Sequence, residues 1–193
     1  MKKNEEVTIA PLKIDEVEIN IIGVQPLIVH RFGEKAIKMI TDKQAKKSKD
    51  RPERNPEAEM NECLYKFSDG TRTGFPAVGF KASMIRAGSI LGWVMKELQQ
   101  CIFVVPDEGE LVEIFGQYTL RTDMVRVNMG GADIRYRPEY KNWRATLKIR
   151  YNSAIISKEQ IAQLVNAAGF GCGIGEWRPE KSKTGNYGTW MIM

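Results

Sequence analysis

Apolar and polar residues alternate with period two along several stretches of this chain and repeat at helical spacing along others. Residues 17–24 read Val-Glu-Ile-Asn-Ile-Ile-Gly-Val, which predicts a strand with Val17, Ile19 and Ile21 facing inward. Pro26 ends its pairing, and Leu27-Ile28-Val29 carries the chain to His30 and Arg31. A helix is expected from Glu34, with Ala36, Ile37 and Ile40 as its apolar stripe. Asp69-Gly70 signals a hairpin turn within residues 64–71. Over residues 80–99, Met84, Ile85, Gly88, Leu91, Gly92 and Met95 recur at helical spacing. The two glycines, four apart, suggest a close helix-to-sheet approach rather than a kink. Residues 102–106, 110–116 and 124–129 predict three short strands, with Gly130-Gly131 turning the chain after the last. Residues 133–142 read as irregular.

The clearest strand covers residues 143–151. Its odd positions are Trp143, Ala145, Leu147, Ile149 and Tyr151, while its even ones are Arg144, Thr146, Lys148 and Arg150. Period two sends these sets to opposite faces. A wet face that is wholly basic or neutral repels itself unless an anion lies over it, so this face is expected to meet a polyanion. Next, Ser157 and Gln160 form a capping box. Ile161, Leu164, Val165 and Ala168 continue as a core-facing helical stripe. Gly169 is expected to stop that helix in the left-handed cap position, and residues 189–193 form a short apolar final segment.

Residues 42–62 carry six basic and six acidic side chains and two prolines. So little apolar surface predicts a solvated excursion, and an insertion of about 42–75 in a single domain spanning 1–193. The net charge of +5 permits an acidic polymer as partner without demanding one. Three cysteines, Cys63, Cys101 and Cys172, lie far apart with no CxxC, which suits a reducing cytoplasm. With His30 as the sole histidine, no metal is expected; no cofactor is expected either, for want of a nucleotide-binding motif. The first six residues lack the apolar core of a signal peptide, and no apolar run is long enough for a span. No membrane partner is therefore expected.

Residues 169–181 read Gly-Phe-Gly-Cys-Gly-Ile-Gly-Glu-Trp-Arg-Pro-Glu-Lys, and Gly185 and Gly188 follow. A dinucleotide fingerprint needs a strand before the glycines and a helix after them; here the helix comes first and Pro179 opposes a second. No GxxxxGK[ST] is present. Glycines cost more backbone entropy to order than other residues. A bare turn needs one or two, so the surplus points to close backbone contact with a ligand. Basic and aromatic residues follow at once, as a single strand of nucleic acid requires.

The order of parts predicts an α+β protein: a ferredoxin-like (RRM-like) antiparallel sheet with helices on one face and an inserted charged loop. Gly171-Cys-Gly173-Ile-Gly175-Glu-Trp177-Arg178-Pro179-Glu-Lys181 through Gly185 and Gly188 resembles the C-terminal signature of the RAMP superfamily, the RNA-binding proteins of CRISPR systems. Ile22-Gly23-Val-Gln-Pro26-Leu27 with His30-Arg31 agrees. So does Phe75-Pro76-Ala-Val-Gly-Phe80-Lys81 with Arg86, although Gly79 and Ala82 depart from the serine and glycine of the family's I-P-x-S-x-K-G-x-x-R stretch. The chain looks like a single-domain, backbone-forming member, similar to stand-alone proteins of this type carried by bacteriophages, which would place it in a bacterial host's cytoplasm.

The resemblance and the residues together lead to a non-catalytic binder of single-stranded DNA or RNA, lining up as a homo-oligomer or filament along the strand. Its expected contacts are Arg31, Lys81, Arg86, Arg126, Arg135, Arg137, Arg144, Lys148, Arg150, Gly171, Gly173, Gly175, Trp177, Arg178, Lys181 and Lys183. The RNP1 consensus of true RRMs is absent, so sequence-specific base reading is not indicated. One alternative is a metal-independent endoribonuclease with His30 as general base and Lys35 or Lys38 stabilising charge. Another is a protein-only mimic or inhibitor of a CRISPR complex.

Overall fold

Two alternating strands, one near each end of the sequence, pair along their whole length and set the core. The computed structural model describes residues 11–31, 54–127 and 131–193. In chain order its elements are β1 (Ile14–Gly23), β2 (Leu27–Ile28), α1 (Pro56–Glu62), β3 (Tyr65–Lys66), β4 (Thr73–Pro76), α2 (Ala77–Ile90), α3 (Met95–Cys101), β5 (Ile102–Val105), β6 (Leu111–Glu113), β7 (Tyr118–Val127), β8 (Gly131–Tyr140), β9 (Arg144–Asn152), α4 (Lys158–Gly171) and β10 (Trp190–Ile192). The protein is α+β, and every strand pairing is antiparallel.

The main sheet has the order β10-β1-β9-β5. As the alternation predicts, Val17, Ile19 and Ile21 of β1 and Ala145, Leu147, Ile149 and Tyr151 of β9 are buried on one face. There they meet Phe80, Met84 and Ala87 of α2 and Ile161, Leu164, Val165 and Ala168 of α4. The even positions stay on the open face. Two smaller sheets flank the main one, β2-β8-β7 and β3-β4-β6. Edge-to-face aromatic contacts run from Tyr65 through Phe75 and Phe80 to Trp190 and Trp143, with centroids 5.8–6.4 Å apart. Such contacts each add about 0.5–1.5 kcal/mol beyond the area they bury, and here they tie the β3-β4-β6 sheet to the main one across α2.

Several sequence expectations need correction. Residues 80–99 form two helices, because Gly92 adopts φ +73° and breaks the run. Gly88 does make a close approach, but to Leu98 of α3 rather than to a sheet. Residues 133–142 are mostly β8; Ile134, Tyr136 and Pro138 alternate with Arg135, Arg137 and Glu139, a period-two pattern hidden by its arginines. Gly169 does not end α4. It sits within the helix against Trp190, where any side chain would collide with the Trp190 carbonyl, and the helix runs on to Gly171.

The described part of the charged insertion is ordered and packed. Met60 of α1 is buried. Arg54 donates to Glu59, to Asp133 and to the Ile134 carbonyl. Asp69 accepts from the Thr71 and Arg72 amides, closing the expected turn. Residues 1–10, the expected helix from Glu34, and residues 42–53 lie outside the described residues, as do 128–130 at the end of the strand expected over 124–129. Among the described residues no helix is long and apolar enough to cross a membrane.

The capping box is formed, Ser157 accepting from the Gln160 amide and Gln160 from the Ser157 amide. Ser157→Ala is expected to cost about 1 kcal/mol, read as a lower urea midpoint at unchanged m-value.

Candidate nucleic-acid interface

The loop between α4 and β10 is held by main-chain hydrogen bonds to its own chain. Gly173, at φ +69°, donates to the Ala168 carbonyl and turns the chain off the end of α4. The amides of Ile174, Glu176, Tyr187 and Gly188 donate to the carbonyls of Gly188, Ile28, Trp177 and Pro26. Gly175 and Gly188 adopt φ +76° and +64°, and a Cβ on either would strike the Ile28 or Ile174 carbonyl. The surplus glycines do serve close backbone contact, but with the protein itself. The expectation of an amide-lined rim open to phosphates at Gly171, Gly173 and Gly175 is therefore corrected: Gly171 is helical, and its two successors are folding constraints.

Side chains from this loop point two ways. On one side Glu180, 14% exposed, is approached by Arg86 Nε of α2 at 3.3 Å, Arg178 Nη2 at 3.2 Å and Lys181 Nζ at 3.6 Å. Arg178 also donates to the Gly175 carbonyl. Three cations share one carboxylate, so positive charge remains in excess. These residues line a cleft of about 460 Å³ between α2, α3 and the loop, with Phe75, Ser83 and Gln99 also in its walls. Lys183 is exposed further along the loop.

On the other side Trp177 adopts φ +52°, uncommon for a residue with a side chain. Its ring lies 5.9 Å from that of Tyr187, with Arg121 5.3 Å and 5.0 Å from the two ring centres and Arg137 5.5 Å from Trp177. Beneath them Arg121 is bonded to Asp123 at 2.8 Å and to Glu139 at 2.6 Å. The buried Arg137 reaches Asp123 at 3.5 Å and approaches Glu176 at 3.7 Å. Glu176 also faces His30 Nδ1 at 3.7 Å. The His30 contact, supported by Arg137 and Arg178, outweighs burial and holds the Glu176 carboxyl below its usual range. Trp177 is thus half-buried and packed on guanidinium groups rather than in the core.

The remaining expected contacts are scattered. Arg31 and Arg126 are exposed, Arg135 Nε lies 2.9 Å from Asp133, and Lys81 donates to the Gln99 carbonyl while lying 4.0 Å from the Phe103 ring centre. Lys81 therefore ties α3 to α2, and burial lowers its pKa.

The basic face of β9 is the largest correction. The β1–β9 register sets Glu16 opposite Arg150 and Glu18 opposite Lys148. Arg150 pairs with Glu16 at 2.7 Å, Lys148 pairs with Asp107 at 3.0 Å, and Arg144 lies over the Phe115 ring. The anion that the basic stripe called for is supplied by the neighbouring strand and loop. This face is also the open one, away from α2 and α4, so β9 and the glycine loop do not form one trough. Lys35 and Lys38 lie outside the described residues.

Arg121, Asp123, Glu139, Glu176 and Tyr187 were not anticipated. The alternation of residues 133–139 held the available signal, since a strand with charges on one face needs opposite charges across from it. No family model matches the chain, and no curated protein matches it.

Gly188→Ala is expected to destabilise the fold by roughly 1–3 kcal/mol through its positive φ alone, with the clash adding to that in thermal melts. The depressed Glu176 carboxyl contributes stability that is complete above its unfolded pKa of about 4.3. That contribution is lost as pH falls through the lower folded value. Glu176→Gln should therefore lower Tm at pH 7, and the gap to wild type should close as acid is added below about pH 4.

Proposed function

We propose that this protein is a non-catalytic binder of single-stranded nucleic acid, with a ferredoxin-like fold of RAMP type, several copies occupying one strand. The strand order supports the fold: taking β1, β5, β9 and β10 as first to fourth, the sheet runs fourth-first-third-second. Helix α2 lies between the first and second strands in sequence, and α4 between the third and fourth.

The observation that carries the function is the cleft between α2 and the glycine loop. Arg86, Arg178 and Lys181 converge there on a single carboxylate, leaving cationic groups to neutralise successive phosphates. Trp177 and Tyr187, backed by arginines, offer aromatic surface on the loop's other side for base stacking worth roughly 1–3 kcal/mol per base. The β9 face, already neutralised, takes no part.

Fluorescence anisotropy with labelled oligo(dT) and oligo(U) tests this. Binding at about 50 mM salt should weaken as salt rises, and Arg86→Gln with Lys181→Gln should lower the slope of log K against log salt by about 0.7 for each phosphate that the variant no longer neutralises. Lys148→Gln with Arg150→Gln should leave it unchanged. Absence of binding, or binding indifferent to salt, overturns the proposal.

The facing pair His30 and Glu176 favours a second reading, metal-independent cleavage of RNA, in which the carboxylate orients the imidazole as general base. Cleavage of an RNA oligonucleotide in EDTA, abolished in His30→Ala with binding retained, would establish it; an intact oligonucleotide after prolonged incubation would exclude it.

A further inference from the structure

Among the described residues β7, ten residues long, is the outermost strand of its sheet. The carbonyls of Ile134, Tyr136 and Pro138 in β8 turn away from it, accepting from Arg54 Nη2, Cys63 Sγ and the Val29 amide. Antiparallel partners alternate between residues that exchange both main-chain bonds and residues that exchange none. These three residues therefore exchange none with their partners Met124, Thr122 and Leu120. The N–H and C=O groups of Leu120, Thr122 and Met124 must then point outward from the sheet. No hydrogen bond beyond the ladder is made by the backbone of residues 118–126 to any described residue. The two edges differ: α1 and Arg54 cover that of β8, while no described residue covers that of β7. An open edge of this length is a template for another strand.

The sequence along that edge is self-complementary about Thr122. Running antiparallel to itself with the two-fold axis at Thr122, β7 sets Leu120 against Met124, Arg121 against Asp123, and Tyr118 against Arg126 of the second copy. Leu120 is 42% exposed and Met124 80%, with Ile134, 44% exposed, opposite Met124 on β8, so the apolar pair closes over surface now facing water. Arg121 and Asp123, already bonded at 2.8 Å, would extend their ion pair across the axis. Moving the axis one residue either way opposes Arg121 to Arg121 or Asp123 to Asp123, which like-charge repulsion disfavours.

We propose that two copies of this chain associate through antiparallel pairing of their β7 edges, with the axis at Thr122, making one continuous six-stranded sheet. The contact is isologous and closes on itself, and it does not depend on nucleic-acid binding.

Size-exclusion chromatography with light scattering, on nucleic-acid-free full chain, should give twice the 21.9 kDa chain mass. Thr122→Pro removes an outward amide without breaking the β7–β8 ladder, and Met124→Lys charges the apolar pair. Each should give a monomer with an unchanged far-UV spectrum. Register is read from Thr122→Cys: Cα atoms about 5.5 Å apart in a hydrogen-bonded pair lie within disulfide range. Mild oxidation should therefore crosslink this variant as a dimer, while wild type stays uncrosslinked. A monomeric wild type, a dimer that survives both Thr122→Pro and Met124→Lys, or a Thr122→Cys protein that does not crosslink would each overturn the proposal.

Discussion

Main-chain contact of the glycine loop with β2 and the β1–β2 connection is the constraint on which the rest of the candidate site depends. The Glu176 amide bonds to the Ile28 carbonyl and the Gly188 amide to that of Pro26, so the loop is fixed against the point where the chain leaves the main sheet for the β2-β8-β7 sheet. That anchorage needs backbones closer than side chains allow, hence left-handed glycines at 173, 175 and 188. With the backbone fixed, Glu176 has to face His30 and Arg137, and Glu180 has to face Arg86. Two separate sheets and α2 are thereby joined through one loop.

Charge is distributed by this arrangement in a way that composition conceals. A small net positive charge of +5 says nothing of where cations stand free. On the open face of the main sheet each basic residue of β9 has an acidic or aromatic neighbour, and within the β7–β8 hairpin arginines and carboxylates interleave. Positive charge is in excess at the Glu180 cleft, where three cations share one acid. Exposed pairs on the sheet are each worth little to stability, but they remove the local field that would draw a polyanion there.

The hairpin links the two proposals spatially without making either depend on the other. Arg121 stands at the junction: one set of contacts places it beneath Trp177 and Tyr187, while its strand is the edge of the described sheet on which pairing with a second copy is proposed. Association there would fix Arg121 and Asp123 more firmly and so stiffen the aromatic platform above them.

By itself, the sequence determined the elements whose information is local. The alternation of β1 and β9, the capping box of α4 and the turn at Asp69-Gly70 were all legible, because side-chain period and capping act within a few residues. The alternation of β8 was also present, but arginines on its inner face disguised it as a loop. What the chain could not reveal alone was which partner each charge and each glycine would find. Lys148 and Arg150 read as a bare cationic face until register brought β1 alongside, and Gly175 and Gly188 read as a ligand cradle until Ile28 and Ile174 filled it. Both outcomes depend on residues distant in sequence meeting in space, a matter of tertiary packing that no local pattern encodes.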